Sequence, residues 1–480
     1  MFSQQRAMGQ YSTPQQTVHY MVDSVLSHLS NKKPDILDPS TGDGIFIQAL
    51  LEAGVPSQQL HAYDIDTAVP IPESSIHFRH QDFIKVPNDT KFDAIIGNPP
   101  YKSKRQSPYF TKNRAFLEQE FYTIGVHNMY SLFIYKAIQL LKEDGILSMI
   151  VQDSFLTNVY YKYFREYLLH HTEIIEIILA PRRLFHKGKA DVRTSILTLR
   201  KKKKPNMNTT IRLVDRLEDQ HYASPPEERV QYISQDDFAL LPNYNFAINV
   251  PLEIQSLFHS PYTPLEVVAD IVTGISTGND GYFLRKKEEM EYTDGWIPFY
   301  KNNGSKDAWY YEPKYYIHQN WEANYKRHPR FTIRNPSFFY KEGVTCSSMG
   351  VKFSASYMPK GSLFGVNANL FPKQQEDLMY FLGLLNSNLV KYMLRKVLNR
   401  TNMITCGYLK NLPYLEPSYT NKTIIKELAE DLVQRKKVTP DADTSGQEKE
   451  INEVIYDIYG ISEESRHHID EFCADMLEKL

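Results

Sequence analysis

Apolar residues near the start of the chain recur at the spacing of an amphipathic helix. The positions that share this spacing are Val18, Met21, Val22, Val25, Leu26 and Leu29. Thr13 and Pro14 precede them, and Gln16 stands three residues after the threonine, which is the pattern of a capping box with proline at the first helical position. The sequence therefore predicts a helix that begins next to Thr13 and packs one apolar face inward.

Downstream of this helix, short apolar runs alternate with segments of helical spacing. Strands are predicted at residues 36–37, 60–63, 76–78, 92–96, 146–151, 174–179 and 195–199. Helices are predicted between them at residues 45–53, 130–141 and 160–169. This alternation predicts an α/β fold with a mostly parallel sheet that helices cover on both faces.

The alternation of strands and helices ends after the last predicted strand. Lysines 201–204 and a following proline interrupt the alternation, so we bound the first domain at 1–205 and treat 206–242 as a linker. In residues 243–416, β-prone runs are separated by glycine and asparagine, which favour turns. This pattern predicts a strand-rich α+β domain. Residues 417–480 are acidic and have helical spacing, which predicts a short helical C-terminal region.

Length and composition narrow the class of protein. A chain of 480 residues exceeds what one hydrophobic core usually serves, which indicates more than one domain. The 55 Lys and Arg nearly balance 57 Asp and Glu, so net charge alone does not indicate nucleic acid. The 3 cysteines lie far apart, which argues against a zinc site and a disulfide framework. Since neither a membrane-spanning run nor a leader pattern is evident, we expect a cytoplasmic protein with no membrane or metal partner.

Polar residues and two glycines follow the predicted strands at the edge where the carboxyl ends of the strands meet. They are Asp38, Gly42, Gly44, Asp64, Asp82 and Asn98, with the flat ring of Phe83 beside them. Ligands of open α/β sheets bind at this edge, and this order of groups suits a nucleoside cofactor. Each residue alone is more typical of a turn or a helix cap, so the prediction depends on their joint occurrence.

The stretch "DAIIGNPPYK" ends an apolar strand in an amide, two prolines and a tyrosine. Proline removes a backbone donor and fixes φ, so this corner is a stiff shelf with carbonyl acceptors. If the Asn98 side-chain oxygen and the Pro99 carbonyl each accept one hydrogen of a nucleobase amine, the nitrogen becomes tetrahedral and its lone pair can attack an electrophile. Tyr101 would stack on the base, and a methyl sulfonium is an electrophile that suits a site without metal ligands.

Several motifs, in their order along the chain, carry a resemblance to a known family. They are "GQYSTP", "DPSTGDGIF", "AYDID", "QDF", "NPPY" and "LFHKGKADVRTSILTLR". Through them the sequence resembles the TaqI-like gamma class of S-adenosylmethionine-dependent DNA adenine-N6 methyltransferases. The resemblance implies a Rossmann-like class I methyltransferase domain, followed by a target-recognition domain over residues 243–416.

The resemblance also implies roles for single residues. The implied cofactor-binding residues, from the methionine end of S-adenosylmethionine to its adenine ring, are Gln10, Tyr11, Thr13, Asp38, Gly42, Gly44, Asp64, Asp82 and Phe83. Asp38 would bind the amino group and Asp64 the ribose. Phe185 would be a second aromatic contact to the extruded base, beside Tyr101. The alternative for Phe185 is an ordinary loop aromatic that packs into the core.

Basic residues in two segments are candidates for contact with DNA. The first group follows the "NPPY" motif in a segment that we interpret as a mobile clamp on phosphates: Lys102, Lys104 and Arg105. The second group lies among aromatic residues between positions 310 and 334: Lys326, Arg327 and Arg330. The alternatives are a solvated loop for the first group and core aromatics with exposed basic neighbours for the second.

These features together predict an enzyme that flips an adenine out of double-stranded DNA and methylates its exocyclic amine at a specific sequence. We expect a monomer, encoded by a bacterium or a phage, that modifies DNA for a restriction–modification or related defence system. Such a system leaves room for a separate cognate restriction endonuclease as a partner. The alternatives are a cytosine-N4 methyltransferase, which the same shelf chemistry permits, and a catalytically silent DNA-binding module, against which the intact "NPPY" motif argues.

Overall fold

The computed structural model describes residues 12–69, 75–182, 184–185, 193–259, 261–301, 304, 307–401 and 403–476. The chain divides into two compact units, Met1–Asn249 and Val250–Leu480. The first unit therefore extends beyond the predicted boundary at residue 205.

A nine-stranded sheet forms the centre of the first unit. Its strands are β1 Ile36–Asp38, β2 Leu60–Asp64, β3 His77–His80, β4 Phe92–Gly97, β5 Leu141–Gln152, β6 Thr172–Leu179, β7 Thr194–Lys201, β8 Thr210–Val214 and β9 Val230–Ser234. Their order across the sheet is β3-β2-β1-β4-β5-β7-β6-β8-β9. The strands from β3 to β5 run parallel, whereas β7 is antiparallel to both of its neighbours. This confirms the predicted Rossmann-like, mostly parallel sheet.

Seven helices accompany this sheet in the described part of the first unit. They are α1 Gln15–His28, α2 Ile45–Glu52, α3 Pro108–Lys112, α4 Arg114–Glu120, α5 Met129–Leu140, α6 Lys162–His171 and α7 Gln235–Leu240. In α1 the predicted apolar face is buried, with Val18, Met21, Val22 and Val25 at most 1% exposed. The helical period thus located the inward face of α1 correctly.

The start of α1 differs from the predicted capping box. The helix begins at Gln15, and the Pro14 carbonyl accepts its first bond from the Val18 amide at 3.1 Å. No side chain caps this end within the described residues. The Thr13 hydroxyl instead accepts a hydrogen bond from the Asn98 side chain, which lies 85 residues away in the sequence. A local pattern could not reveal this distant partner.

Residues 206–242, predicted to be a linker, contain two strands of the sheet. β8 pairs in parallel with β6, and β9 pairs antiparallel with β8. Arg212 of β8 forms an ion pair with the buried Glu176 of β6 at 3.0 Å, and the Tyr20 hydroxyl of α1 donates to the same carboxylate at 2.8 Å. The charged stretch after β7 is therefore a connection within the unit and not its end.

The second unit contains two four-stranded sheets, as the prediction of a strand-rich region requires. One sheet has the order β10 Ala269–Val272, β17 Asn369–Pro372, β14 Gly343–Cys346 and β15 Ala355–Met358. The other has the order β11 Leu284–Lys286, β13 Tyr315–His318, β12 Trp296–Tyr300 and β16 Leu363–Phe364.

Helices of the second unit gather toward the end of the chain. The earlier ones are α8 Leu252–Ser256, α9 Asp280–Phe283, α10 Trp321–Asn324, α11 Leu378–Asn386, α12 Asn388–Tyr392, a π-helical stretch Met393–Leu398, and α13 Cys406–Lys410. The last three are α14 Tyr419–Val438, α15 Ser445–Tyr459 and α16 Glu463–Ala474. They confirm the predicted helical C-terminal region. Of the helices in the described ranges, none is both long and apolar enough to cross a membrane.

Candidate active site

Three acidic or amide side chains lie at neighbouring strand ends of the first unit. Asp38 is the last residue of β1, Asp64 is the last residue of β2, and Asn98 directly follows β4. Since β1 pairs in parallel with both β2 and β4, these three residues lie at one edge of the sheet. The edge is the one where the sequence predicts a ligand site.

Asp38 is fully buried and only half satisfied. Its Oδ1 accepts from the Ser40 amide at 3.1 Å, while its Oδ2 has no hydrogen-bond partner among the residues that the structure describes. Burial raises the pKa of Asp38 to about 8; Asp64 and Asp43 contribute to the increase, and the Ser40 amide opposes it. A ligand that brings an ammonium group to Oδ2 would stabilise the carboxylate form.

The glycine-containing loop after β1 is bonded to Asp64. The Gly42 amide donates to Asp64 Oδ2 at 2.9 Å, and the Asp66 amide donates to Oδ1 at 2.9 Å. Gly42 and Gly44 have φ of 55° and 78°, which glycine adopts without a steric penalty. These bonds hold the Asp64 carboxylate against the loop that precedes α2, near Asp38.

Asn98 connects the "NPPY" shelf with the chain before α1. Its Nδ2 donates to Thr13 Oγ1 at 3.1 Å, and its backbone oxygen accepts from the Ser40 hydroxyl at 3.1 Å. A Cβ placed at Gly97 would lie 3.0 Å from Asp38 Oδ1, so the absence of a side chain there permits the close approach of β4 to Asp38. With its nitrogen bonded to Thr13, the amide presents its oxygen as the acceptor. Pro99 is buried behind it.

Tyr101 and Phe185 belong to one aromatic cluster. Their ring centroids are 6.3 Å apart at an interplanar angle of 61°, and Tyr130 lies 6.5 Å from Tyr101 on another side. The Tyr101 hydroxyl donates to the Ile150 carbonyl at 2.9 Å. Tyr101 and Phe185 are both 6% exposed. The structure thus brings together the two rings that the sequence predicted to contact one base.

Asp82 and Phe83 adjoin a tyrosine that the sequence analysis missed. Asp82 caps a short 3₁₀ helix by accepting from the Ile84 amide at 3.2 Å, and its Oδ2 accepts from the Tyr109 hydroxyl at 2.7 Å. Burial, and then the hydrogen bond to Asp82, raise the pKa of Tyr109. Phe83 is buried against Phe133, with 5.0 Å between their centroids. The one signal for this residue in the sequence is the Ser-Pro pair at the start of α3, which indicates a helix that contains Tyr109.

The first group of candidate DNA contacts lies in a segment that backbone hydrogen bonds fix at both ends. The backbone amide of Lys104 donates to the His127 carbonyl at 3.0 Å, and the Lys102 carbonyl accepts from Met129 at 2.9 Å. Lys104 and Arg105 are exposed, and the Lys104 ammonium pairs with Glu118 at 3.6 Å. The segment between these bonds contains α3 and α4. Its role as a clamp on phosphates stays a prediction.

In the second group, two aromatic residues are packed in the core and the basic residues are exposed. The rings of Trp321 and Phe331 stack at 5.8 Å inside a hydrophobic cluster of the second unit. Lys326, Arg327 and Arg330 are all exposed. These two aromatics therefore agree with the alternative stated above, in which the aromatic residues pack in the core. Contact of the three cations with DNA stays a prediction.

Two further predictions concern Gln10 and Tyr11 as cofactor-binding residues and the lack of a metal site. Gln10 and Tyr11, predicted at the methionine end of the cofactor, lie outside the described residues. Within the described ranges, no three His, Cys, Asp or Glu side chains form a group that could hold a metal ion.

Comparison with known proteins supports a methyltransferase origin for the first unit. Residues 58–185 match the family described as Eco57I restriction-modification methylase. The chain is 30% identical over 182 residues to the type II methyltransferase M.HincII of Haemophilus influenzae, a match that covers 37% of this chain and 34% of that protein. It is 25% identical over 382 residues to the adenine-specific methyltransferase PglX of Lacticaseibacillus casei (strain Zhang), covering 72% of this chain and 31% of that protein. The chain thus spans about a third of the length of these curated relatives.

Similar folds occur among solved restriction-modification enzymes. The type IIL enzyme MmeI, solved in complex with DNA, has a TM-score of 0.63 at 13% identity, over 96% of this chain and 75% of that one. The type ISP enzyme LlaGI, solved as a nuclease-deletion mutant with a DNA substrate mimic, has a TM-score of 0.55 at 14% identity, over 88% of this chain and 54% of that one. At these identities the likeness establishes the fold.

Proposed function

We propose that this chain is an S-adenosylmethionine-dependent DNA adenine-N6 methyltransferase similar to the TaqI-like gamma class. One arrangement supports this function above the others. The Asn98 amide, held by Thr13, lies at the same sheet edge as the half-satisfied Asp38 carboxylate, and Ser40 bonds to both residues. An acceptor for a nucleobase amine therefore adjoins an acceptor for the amino group of the cofactor.

The residues at this edge fit S-adenosylmethionine. Asp38 Oδ2, buried and without a partner among the described residues, suits the α-ammonium group. The Asp64 carboxylate suits the ribose hydroxyls. Asp82 and the flat ring of Phe83 suit the adenine ring. The bound cofactor supplies an electrophilic methyl group on a sulfonium.

The shelf residues act on the acceptor base. The lone pair of an exocyclic amine is delocalised into the ring, so the amine needs reshaping and not a strong base. The Asn98 side-chain oxygen and the Pro99 carbonyl each accept one amine hydrogen, which favours the tetrahedral nitrogen that develops in the transition state. Tyr101, with Phe185 beside it, holds the ring of a base that has left the duplex.

The names of two relatives support adenine as the base. PglX and the similar BrxX of Escherichia coli O9:H4 (strain HS) are named adenine-specific. Their names, with those of the type II relatives, support a role for this chain as the modification enzyme of a restriction–modification or related defence system in a cell interior. Double-stranded DNA is its substrate, and a separate cognate endonuclease would complete such a system. Lys102, Lys104 and Arg105, with Lys326, Arg327 and Arg330, are the proposed phosphate and base contacts.

The test is transfer of a labelled methyl group from S-adenosylmethionine to mixed-sequence duplex DNA, followed by mass analysis of the nucleosides. N6-methyladenine is the expected product, whereas N4-methylcytosine would assign the cytosine alternative. Asn98→Ala should abolish transfer and leave cofactor affinity nearly unchanged. The matched control is Asn31→Ala, since Asn31 is exposed. Cofactor binding without any transfer by the unaltered chain would favour the silent module, and normal turnover by Asn98→Ala would refute the role of the shelf.

A further inference from the structure

A lysine-rich pocket lies in the first unit at the edge of the sheet opposite to the candidate active site. Lys91 immediately precedes β4, and the antiparallel β7 ends at Lys201, so both residues lie where the parallel strands begin. The pocket has a volume of about 320 Å³. Its lining residues are Asn88, Lys91, Ile138, Gln139, Tyr167, His171, Lys201, Lys202 and Lys203. Pockets of this size accept small ligands.

Two ammonium groups of this pocket share one backbone oxygen. The Gln139 carbonyl accepts from the Lys91 Nζ at 2.6 Å and from the Lys201 Nζ at 3.4 Å. Lys201 also donates to the Leu141 carbonyl at 2.7 Å. These bonds hold two positive charges close together at the end of α5, and each ammonium group keeps a further donor. Like charges this close repel each other, and an anion between them would offset the repulsion.

The carboxylates around the pocket neutralise it incompletely. Asp144 forms an ion pair with Lys202. Glu143 accepts a hydrogen bond from the backbone amide of Lys203 at 2.9 Å. Within the described ranges, Lys91, Lys201 and Lys203 form no ion pair with a carboxylate. The pocket therefore has a surplus of positive charge, which the carboxylates of Glu143 and Glu173 offset only in part.

The lysines of the pocket lie close enough together to affect the pKa of Lys201. Burial and then the Lys91 ammonium lower the pKa of Lys201; Lys203 adds to this decrease, and Glu143 opposes it. An aromatic wall adjoins the lysines, where the Tyr167 ring packs against His171 with 4.3 Å between the centroids. An anion with a flat or apolar portion would find both charge and contact area here.

We propose that this pocket is a second ligand site, separate from the cofactor site, that binds a phosphate group between Lys91, Lys201 and Lys203. A phosphate presents several strong acceptor oxygens, so one group can bond to two or three ammonium groups at once. The phosphate belongs either to a free polyphosphate or nucleotide, or to the backbone of duplex DNA that passes this edge. This site is independent of the proposed methyl transfer, because its residues lie at the other edge of the sheet.

The test compares two double variants of the full-length chain. Lys91→Gln with Lys203→Gln removes two exposed cations from the pocket, while Lys32→Gln with Lys33→Gln removes two exposed cations that lie before β1. Titration calorimetry with pyrophosphate and with ATP measures the free-ligand arm. Fluorescence anisotropy with a short duplex, at several salt concentrations, measures the DNA arm. Both pocket lysines are exposed, so we expect both variants to fold.

A free-phosphate ligand would bind the unaltered chain and the control variant with equal affinity. Its affinity for the pocket variant would be lower by about tenfold or more. A DNA-backbone ligand would show no pyrophosphate binding, but the pocket variant would lose duplex affinity and about two units of salt slope relative to the control. Equal losses in both double variants, or no loss in either arm, would overturn the site.

Discussion

The Asn98 side-chain nitrogen donates a 3.1 Å hydrogen bond to the Thr13 hydroxyl, which joins the residue after β4 to the segment that precedes α1. Thr13 is only 3% exposed, so the bond is shielded from water. The amide nitrogen faces Thr13, which leaves the oxygen as the acceptor. Two motifs that are distant in sequence are therefore joined by this hydrogen bond.

Thr13→Val should slow methyl transfer and leave the fold intact. Valine has nearly the same shape but cannot accept from Asn98, so the amide loses the bond that orients it. One hydrogen bond contributes about 1 kcal/mol, which corresponds to roughly a fivefold to tenfold decrease in the single-turnover rate. Thr13→Ser keeps the hydroxyl and should restore most of the rate. If the valine variant turned over at the normal rate, the bond would have no positioning role.

Asp38 predicts a pH-dependent affinity for the cofactor. Below a pKa of about 8 the carboxyl is mostly protonated, and the ammonium of the cofactor must displace that proton. Affinity should therefore rise by up to about tenfold per pH unit between pH 6 and 8, with proton release on binding. Calorimetry in buffers of different ionisation enthalpy measures both quantities. Asp38→Asn should bind weakly and lose this dependence, and a flat profile in the unaltered chain would contradict the assignment.

The same carboxyl should destabilise the cofactor-free protein at high pH. Between the ordinary carboxyl pKa of 3.8 and the raised pKa of about 8, the folded state keeps a proton that the unfolded chain has lost. The contribution of Asp38 to the free energy of unfolding therefore falls as pH rises through this window. Urea unfolding at pH 5 and pH 9 should show a smaller decrease for Asp38→Asn than for the unaltered chain. Identical decreases would indicate that Asp38 titrates normally.

The sequence predicted the elements better than the contacts between them. Helical and strand periodicity located α1, α2 and the strands from β1 to β7, because each pattern is a local property of the chain. β8, Thr210–Val214, was missed because its pairing with β6 is not visible in the local sequence.

Single site residues show the same limit. The strand-end positions of Asp38, Asp64 and Asn98 followed from the order of motifs. The bond from Asn98 to Thr13 and the bond from Tyr109 to Asp82 required the folded chain, because neither partner is near the other in sequence.

Tyr109→Phe should weaken cofactor binding without slowing the chemical step. The tyrosine hydroxyl fixes Asp82 Oδ2, and the freed carboxylate would occupy more rotamers. We expect the KM for S-adenosylmethionine to rise about threefold to tenfold while kcat stays the same. Tyr122→Phe is the control, because Tyr122 is 86% exposed. A fall in kcat with an unchanged KM would place Tyr109 in the reaction and not in binding.

Fragments of the chain test where the first unit ends. A fragment of residues 1–249 should unfold cooperatively, because it retains β8 and β9. A fragment of residues 1–205 lacks Arg212 and leaves the buried Glu176 without its cation, a loss of about 3–5 kcal/mol in addition to the lost strands. Urea unfolding monitored by circular dichroism compares the two. Equal midpoints would show that residues 206–242 contribute nothing to the fold of the unit.

Tyr101 allows the ring and the hydroxyl to be tested separately. Its hydroxyl donates to the Ile150 carbonyl, so the ring is the part that can serve a base. Tyr101→Phe should lower kcat/KM for DNA by less than about tenfold, the effect of one lost hydrogen bond. Tyr101→Ala also removes the stacking surface, worth about 1–3 kcal/mol per base, and should lower kcat/KM about tenfold to a hundredfold further. Because Tyr101 is buried, cofactor affinity and the unfolding midpoint are measured in parallel, and a loss of both in the alanine variant would assign the ring to the core instead of the base.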